Sequence, residues 1–408
     1  MENKRVLIYS QAFFPDHSGI PIYSSDFAFY CAENGHQVDV ITGFPFYPQW
    51  EKRKEDKRKL FAKETTRGIS IYRGYIYVAK NPSSFQRILH ELTLALFALI
   101  NSFRVKRPDV IVVFTTPVLI GVVAAFMNLF WKRKLIINVQ DFQVEAAYSL
   151  GMLKGSVILN VINKLERWSY NQADYVSSIS NSMIRLLTDR KKLDPRKVLL
   201  WPNWLHNKDS EITLPAKGLF RQRFGIDQTS FLIAYAGNIG RKQGLEVLVD
   251  IAGKYATQPS VLFLVIGEGS GLESLRSYAA QKGGTNVRFL PFLNAQEYKE
   301  YLADVNAIFI SQMKIPFDVY FPSKLLGIMS VGQLLIISAD NNSELYKVMK
   351  GNNLAFVADY DDTDALKYYI DATIENDPQV DYYKSESVKF VKQYDRDLVL
   401  SKFFKAVS

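Results

Sequence analysis

Short apolar runs alternate with amphipathic helices along both halves of this 408-residue chain, and this alternation constrains the fold more than any other feature. Such runs fit strands that are buried on both faces. Strands that are separated by helices favour a parallel sheet covered by helices on both sides. The predicted strands of the first half are Val6–Tyr9, Val38–Thr42, Ile69–Tyr72, Val110–Phe114, Leu135–Val139 and Val176–Ile179.

The second half repeats this order after Trp201–Lys217, a stretch with two prolines and little apolar periodicity. We interpret this stretch as the linker between two Rossmann-like domains. The last predicted element of the chain is a helix over about Ser385–Val407. The predicted strands of the second half are Leu232–Ala236, Val261–Ile266, Val287–Phe289, Ala307–Ile310 and Leu334–Ser338.

The run Val110–Trp131 contains no charged residue and is long enough to span a bilayer. A Thr-Thr-Pro sequence divides it, because Thr116 fits a helix N-cap and Pro117 fits the first helical position. We therefore predict a buried strand and a buried helix here, rather than a membrane span. The helix around Ile88–Phe103 is apolar nearly all round, which fits a core helix and also an interfacial helix that lies on lipid.

Positive charge is concentrated in the first half of the chain. Residues 1–205 contain 28 basic and 17 acidic residues, whereas the remainder contains 22 basic and 24 acidic residues. This imbalance predicts an anionic partner, which could be membrane phospholipid, nucleic acid or a phosphorylated substrate. Cys31 is the only cysteine and no signal peptide is recognisable, so we expect a reducing cytosol and no disulfide. The four histidines lack metal-ligand spacing.

Two loops between a predicted strand and a helix have features of phosphate sites. In Pro15–Pro21, Gly19 allows close approach of the backbone to a ligand, and a helix N-terminus follows. The loop lacks the dinucleotide fingerprint, so a nicotinamide cofactor is disfavoured. The segment Tyr235–Glu246 is more specific, because it combines three glycines with Arg241 and Lys242, which suit phosphate oxygens.

Four further residues could carry binding or acid–base chemistry. Lys324 opens a helix, so its ammonium and the first free amides could face one anion. Asp141 and Glu145 follow the Leu135–Val139 strand, where open parallel sheets bind ligands. Both carboxyls could orient a sugar hydroxyl or accept its proton, or they could simply cap a helix. Glu268 could bind a ribose or a base.

Several motifs occur in order along the chain: Phe14-Pro15-Asp16, Gly19, Gly35–Thr42, Trp201-Pro202-Asn203, Gly237-Asn238-Ile239-Gly240, Gln243-Gly244-Leu245 and Pro322-Ser323-Lys324-Leu325. Their order and spacing resemble the GT-B glycosyltransferases of family 4, nearly from end to end of the chain. Finer features are Pro45–Trp50, Val139–Glu145, Ser178-Ile179-Ser180 and Trp201–Trp204. These features resemble the branch that includes the colanic-acid fucosyltransferases.

This resemblance implies an α/β fold of the GT-B class, with two Rossmann-like domains facing a central cleft. The N-terminal domain, 1–204, would face the acceptor and the membrane. The C-terminal domain, 205–384, would bind the nucleotide-sugar, and a helix over 385–408 would cross back to the first domain. The family carries out retaining sugar transfer without an obligatory metal or cofactor.

The resemblance also implies roles for single residues. Arg241, Lys242 and Lys324 would hold the donor diphosphate and stabilise the leaving group, and Asp141 and Glu145 would lie near the acceptor. The residues expected to bind substrate are Ser18, Gly19, Gly237, Asn238, Gly240, Glu268, Pro322, Ser323 and Glu344.

The chain departs from the family pattern at four positions. Many members have an arginine and a lysine where Asn238 and Gln243 stand, and a histidine where Gln140 stands. Arg241 and Lys242 could substitute for the missing cations. Many members also have a ribose-binding glutamate where Gly327 stands, so that Glu268 or Glu344 would have to bind the ribose.

Together these observations predict a cytoplasmic enzyme on the inner face of the cell membrane. It would transfer fucose from GDP-fucose to a lipid-diphosphate-linked oligosaccharide during bacterial surface-polysaccharide synthesis. A UDP-linked N-acetylhexosamine such as UDP-FucNAc is the alternative donor. A nucleotide-sugar epimerase on the same scaffold also stays open. Nucleic-acid binding is disfavoured, because the sequence has no recognition module.

Overall fold

The computed structural model describes residues 3–16, 19–47, 49–80, 82–142, 145, 157–206, 212–314 and 324–407. It divides into two compact units. The first unit comprises residues 1–206 and 396–408, and the second comprises residues 207–395. Each unit contains one sheet whose strands are mostly parallel.

The first unit contains an eight-stranded sheet with the strand order β3-β4-β2-β1-β5-β6-β7-β8. Neighbouring strands are parallel, except that β3 is antiparallel to β4. The strands are β1 (Arg5–Ser10), β2 (Gln37–Gly43), β3 (Phe61–Thr66), β4 (Ile69–Gly74), β5 (Val110–Thr115), β6 (Lys134–Val139), β7 (Tyr175–Ser178) and β8 (Val198–Leu200). The helices are α1 (Ile20–Glu33), α2 (Ser84–Ser102), α3 (Val118–Trp131), α4 (Val157–Gln172) and α5 (Asn181–Arg185).

The second unit contains a six-stranded, fully parallel sheet with the order β11-β10-β9-β12-β13-β14. Strands are added towards one edge of the sheet from β9 to β11 and towards the other edge from β12 to β14, so the strand order switches between β9 and β12. Sheets of this kind bind ligands at such a switch point. The strands are β9 (Phe231–Ala236), β10 (Val261–Ile266), β11 (Val287–Leu290), β12 (Ala307–Gln312), β13 (Leu335–Ala339) and β14 (Phe356–Ala358). The helices are α6 (Leu219–Arg223), α7 (Glu246–Gly253), α8 (Leu272–Gln281), α9 (Ala295–Asp304), α10 (Leu325–Ser330), α11 (Glu344–Gly351), α12 (Thr363–Ile374) and α13 (Pro378–Val391).

Every strand predicted from the sequence is present, and the structure adds β3, β8 and β14. The strand β3 has the polar sequence FAKETT because it is a half-exposed edge strand paired on one side only. The strands β8 and β14 contain three residues each, which is too short for a periodicity signal.

The single helix predicted over Ser385–Val407 is wrong, because two helices occupy this region. The helix α13 ends at Val391, a 3₁₀ turn follows, and Asp395 takes an extended backbone conformation (φ −53°, ψ 137°) that interrupts the helical path. The helix α14 (Arg396–Val407) then begins. Only α14 belongs to the first unit, so the return to that unit occurs at residue 396 rather than 385.

The uncharged run Val110–Trp131 forms the strand β5 and the helix α3, as predicted. The predicted helix start is one residue early, because Pro117 has an extended backbone (ψ 168°) and caps the helix rather than opening it. Among the described residues, no helix combines the length and the apolarity that crossing a bilayer would require.

The predicted linker begins within the core of the first unit. Trp201 and Trp204 are each 2% exposed. The Trp201 ring stacks on Phe403 of α14, with 3.5 Å between ring centroids, and meets Phe27 of α1 edge-on at 5.3 Å. The chain therefore leaves the first unit after these tryptophans, at His206.

Asp26 on α1 connects three segments of the first unit. Its Oδ1 lies 3.1 Å from Nε of Arg396, at the start of α14. Its Oδ2 accepts a 2.7 Å hydrogen bond from Trp204 Nε1 and lies 3.3 Å from Nδ1 of His206. Asp26 and Arg396 are each 5% exposed. The Asp26 carboxylate thus contacts both the residue where the chain leaves the first unit, His206, and the residue where it returns, Arg396.

We expect Asp26→Ala to lower the free energy of unfolding of the first unit by about 3 kcal/mol, because it leaves the Arg396 guanidinium buried without its main partner. Urea unfolding followed by tryptophan emission measures this unit alone, since all five tryptophans lie between residues 50 and 204. The control is Asp397→Ala, which removes a 73% exposed partner of the same arginine. Equal effects of the two substitutions would contradict this role of Asp26.

Burial also raises the pKa of Glu91 on α2 to about 7. Because the folded protein binds this proton more tightly than the unfolded chain does, stability decreases as the pH rises from about 4.5 to about 7. Glu91→Gln is therefore expected to raise the free energy of unfolding at pH 8 by about 1–2 kcal/mol, with little change at pH 5. Melting temperatures at both pH values test this, with the exposed Glu55→Gln as control. A pH-independent effect would contradict it.

Candidate active site

Two loops at the carboxyl end of the second sheet pack backbone against backbone. The first loop, Gly237–Gly244, follows β9, and the second, Gly267–Gly271, follows β10. The Ile239 amide donates to the Glu268 carbonyl at 2.8 Å, and the Gly271 amide donates back to the Ile239 carbonyl at 3.0 Å. These two hydrogen bonds hold the β9 loop in one conformation.

Glycine is required where these loops meet. A Cβ atom on Gly267 would lie 1.9 Å from the Gly237 carbonyl oxygen, and one on Gly269 would lie 2.1 Å from the Ile239 oxygen. Both glycines also have positive φ angles, of 132° and 154°. The loops can therefore approach this closely only without side chains at these two positions.

Lys324 contacts the same loop from the start of α10. Its Nζ donates to the Ala236 carbonyl at 3.2 Å and lies 3.1 Å from the position of a Cβ on Gly237. The residue as a whole is exposed, yet surrounding protein atoms remove water from the ammonium and lower its pKa. Within the described part of the chain, no carboxylate lies within ion-pair distance of it. The structure thus holds a partly desolvated cation at the end of β9, where an anion would stabilise it.

Arg241 and Lys242 lie on a single 3₁₀ turn of the β9 loop. Arg241 is exposed and Lys242 is partly exposed, and neither has a carboxylate partner among the residues described. Gln243, by contrast, is 6% exposed, and its Oε1 accepts the Gly240 amide at 3.1 Å. Gln243 therefore shapes the loop and does not face a ligand, so the cations of this loop are Arg241 and Lys242.

The other residues expected on the donor side divide into two groups. Asn238 is exposed, and its carbonyl accepts the Tyr235 hydroxyl at 2.7 Å. The Glu268 side chain is also exposed, next to the two packed loops. Glu344 is 8% exposed at the start of α11, and its charge helps burial to raise the pKa of Tyr394. Pro322 and Ser323 lie outside the described residues.

In the first unit, Gly19 begins α1 at the carboxyl end of β1. Gly19 has a φ of +69°, and the Tyr47 ring lies 3.7 Å from the position of a Cβ there. Ser18 lies outside the described residues. The nearby Asp16 is 8% exposed and accepts the Phe46 amide at 3.4 Å, and burial raises its pKa to about 6. Sequence analysis gave this carboxyl no role, because no local pattern signals its burial.

Asp141 and Glu145 follow β6 but have different surroundings. Asp141 is partly exposed, whereas Glu145 is 8% exposed and its Oε1 lies 2.6 Å from Nζ of Lys191. Gln140, at the family's histidine position, donates through Nε2 to Asn138 Oδ1 at 2.6 Å. The structure therefore makes Asp141 the more accessible of the two carboxyls. Lys191 is a partner that sequence analysis missed.

Comparisons with known proteins agree with this architecture. The family described as Glycosyl transferase 4-like domain matches residues 18–204, and the family described as Glycosyl transferases group 1 matches residues 217–390. The chain is 30% identical over 363 residues to WcaI of Escherichia coli (strain K12), whose name assigns it as a glycosyl transferase to colanic acid biosynthesis. The match covers 84% of each protein.

Solved structures share the fold at lower identity. Sucrose-phosphate synthase from Thermosynechococcus elongatus superimposes with a TM-score of 0.74 at 14% identity, covering 99% of this chain and 98% of that one. HepE from Anabaena in complex with UDP and glucose has a TM-score of 0.68 at 13% identity, covering 99% of both chains. From the two family matches and the likeness to WcaI, the chain belongs to the family 4-like, group 1 glycosyltransferases and is an enzyme of the GT-B fold.

Proposed function

We propose that this glycosyltransferase transfers a sugar from a nucleotide-sugar to a lipid-diphosphate-linked oligosaccharide during assembly of a bacterial surface polysaccharide. The main observation is the cluster of cations and glycine backbone at the carboxyl end of β9, where Lys324 contacts the loop that carries Arg241 and Lys242. The likeness to WcaI, named for colanic acid biosynthesis, supports the polysaccharide context.

The β9 loop suits the diphosphate of such a donor. Lys324 and Arg241 supply positive charge without a carboxylate partner in the described residues, and the glycines let the β9 and β10 loops pack backbone against backbone. When the sugar–phosphate bond breaks, negative charge develops on the leaving diphosphate. Cations that are already in place stabilise this charge without reorganising. In this proposal the lysines and arginine replace a metal ion, and the sugar is transferred with retention of configuration.

The proposed donor is GDP-fucose, with UDP-N-acetylhexosamines such as UDP-FucNAc as the alternative. The fucose assignment rests on the likeness of the sequence motifs to colanic-acid fucosyltransferases. The UDP alternative is supported by HepE, which has the same fold and was solved with UDP and glucose. In the first unit, Asp141 at the end of β6 would orient the acceptor hydroxyl.

A donor panel tests this assignment. We expect the true donor, among GDP-fucose, UDP-FucNAc, UDP-N-acetylhexosamines and dTDP-sugars, to raise the melting temperature, because a ligand that binds only the folded state stabilises it.

Lys324→Ala and Arg241→Ala should each lower turnover roughly 100-fold, with the melting temperature of the free enzyme nearly unchanged. Activity should persist in EDTA.

The matched control is Arg288→Ala on β11, which removes an exposed arginine that bonds the Gly225 carbonyl. Its turnover should equal that of the wild type. Full activity of Lys324→Ala and Arg241→Ala with the true donor would show that the diphosphate binds elsewhere. Interconversion of a free UDP-sugar without any acceptor would instead indicate an epimerase.

An apolar face on α2 and α3 supports the membrane part of the proposal. The two helices pack against each other, and their outward sides carry large hydrophobic side chains at the spacing of one helical face. The most exposed are Phe103 (73%), Phe85 (72%) and Phe130 (66%). The apolar face consists of Phe85, Leu92, Leu96, Ile100 and Phe103 from α2 and its C-cap, and Phe126, Leu129 and Phe130 from α3.

Basic residues lie at one end of this apolar face. Arg107, in the turn after α2, donates through Nε to the Trp131 carbonyl at the end of α3, at 3.2 Å. This bond brings Arg104, Lys106 and Arg107 next to Lys132 and Arg133, and all five are exposed. An apolar surface with a basic edge suits the interface of a bilayer that contains anionic lipid. We therefore propose that the enzyme lies on the cytoplasmic face of the cell membrane.

We expect Phe103→Ser with Phe130→Ser to weaken binding to vesicles of phosphatidylglycerol and phosphatidylethanolamine roughly tenfold or more, since each phenylalanine loses its burial in lipid. Lys132→Gln with Arg133→Gln should weaken it by a similar factor at low salt. Co-sedimentation measures both. The control is Tyr368→Ser, a 64% exposed aromatic residue in the second unit. Unchanged partitioning of the first two variants would rule out this face as the membrane contact.

A further inference from the structure

A buried lysine joins two carboxylates beside the proposed acceptor region of the first unit. Lys191 is 8% exposed, and its Nζ lies 2.6 Å from Glu145 Oε1 and also bonds Glu166 Oε2. The same Nζ lies 3.3 Å from Asn163 Oδ1. Glu166 is 2% exposed and accepts the Tyr170 hydroxyl at 3.0 Å. Glu145 belongs to the segment after β6, while the other partners lie on α4.

The electrostatics favour the positively charged form of Lys191. Burial alone would lower the pKa of Lys191, but the Glu166 and Glu145 carboxylates outweigh this and raise it. The pKa of Glu166 is raised, because its burial outweighs the charge of Lys191 and the hydrogen bond from it. A buried charge is tolerated only where it is paired and hydrogen-bonded. Lys191 therefore keeps its positive charge and attracts both carboxylates strongly.

The local backbone places Lys191 at this position. Residues Leu186–Arg190 form a π-helical turn directly after α5, and the Lys191 amide closes it by donating to the Leu186 carbonyl at 3.0 Å. π-turns widen a helix by one residue and occur frequently at functional sites. The next residue, Lys192, is exposed and has a positive φ of 57°, so that adjacent lysines have opposite environments.

We infer that Lys191 is a positioning residue for the acceptor: by holding the Glu145 carboxylate against α4, it fixes the segment that carries Asp141 at the carboxyl end of β6. This inference rests on the proposed function, because Asp141 is expected to orient the acceptor hydroxyl. Glu145 is 8% exposed and bound to an ammonium, so its role is to anchor the segment, and Asp141 is the carboxyl that would contact the sugar.

The inference predicts that loss of the Lys191 charge impairs use of the acceptor and leaves use of the donor nearly unchanged. Lys191→Met removes the charge and keeps a similar volume. We expect kcat/KM for the lipid-linked acceptor to fall roughly 10- to 100-fold, since a small displacement of a substrate-orienting group has this effect. The KM for the donor and the rate of donor hydrolysis by water should change less than about twofold, because the proposed donor site is built from the second unit. Lys192→Met is the matched control and should behave as wild type in every assay.

Two further variants keep the test decisive if Lys191→Met does not fold. Glu145→Gln should reproduce the acceptor defect, whereas Glu166→Gln, which keeps the pair of Lys191 and Glu145, should have a much smaller effect. Equal acceptor kinetics for Glu145→Gln and wild type, or equal defects for both glutamine variants, would overturn the inference. An equal loss of donor hydrolysis in Lys191→Met would also overturn it, because that would show a general structural role.

Melting temperatures distinguish failure of this inference from failure of the proposed function. If the wild type glycosylates no lipid-linked acceptor, the proposed function fails. The combined variant Lys191→Met with Glu145→Gln then still tests the anchor, because its melting temperature should fall by less than the sum of the single decreases. Additive decreases would show that Lys191 does not hold Glu145.

Discussion

The buried carboxylate of Asp26 is the interaction on which the first unit depends. It receives the Arg396 guanidinium and the Trp204 indole N–H from two segments that are nearly 200 residues apart in the chain. A carboxylate at 5% exposure is costly unless it is paired and hydrogen-bonded, and here Arg396 supplies the ion pair and Trp204 the hydrogen bond. Packing of Trp201 between Phe403 and Phe27 completes the same junction with apolar surface.

The second unit depends on a different constraint, which is steric. Gly267 and Gly269 allow the β10 loop to contact the β9 loop through backbone atoms, and no other residue fits there. Because Gln243 turns inward and accepts the Gly240 amide, Arg241 and Lys242 are the cations that this turn of the β9 loop presents.

The sequence allowed the fold to be predicted far better than the contacts of the site. Buried parallel strands such as Val261–Ile266 leave an unbroken apolar run, whereas the edge strand β3 and the three-residue β14 leave none. The glycine loops and Lys324 could be predicted to lie at the carboxyl edge of the second sheet, because strand ends and helix starts can be recognised in the sequence. The contact of Lys191 with Glu166 joins residues 25 positions apart, and the burial of Asp16 depends on a neighbouring loop. Neither has a local sequence signature.

Because α14 belongs to the first unit, residues 1–206 do not contain all of the sequence that forms this unit. Residues 1–206 alone would lack Phe403 and Leu400, which are 5% and 0% exposed against the core of that unit, and would leave the Trp201 ring uncovered. Cutting the chain between residues 206 and 212 would therefore yield two fragments that stay associated through α14. A soluble version of the first unit calls for joining residues 396–408 to residue 206 through a designed linker.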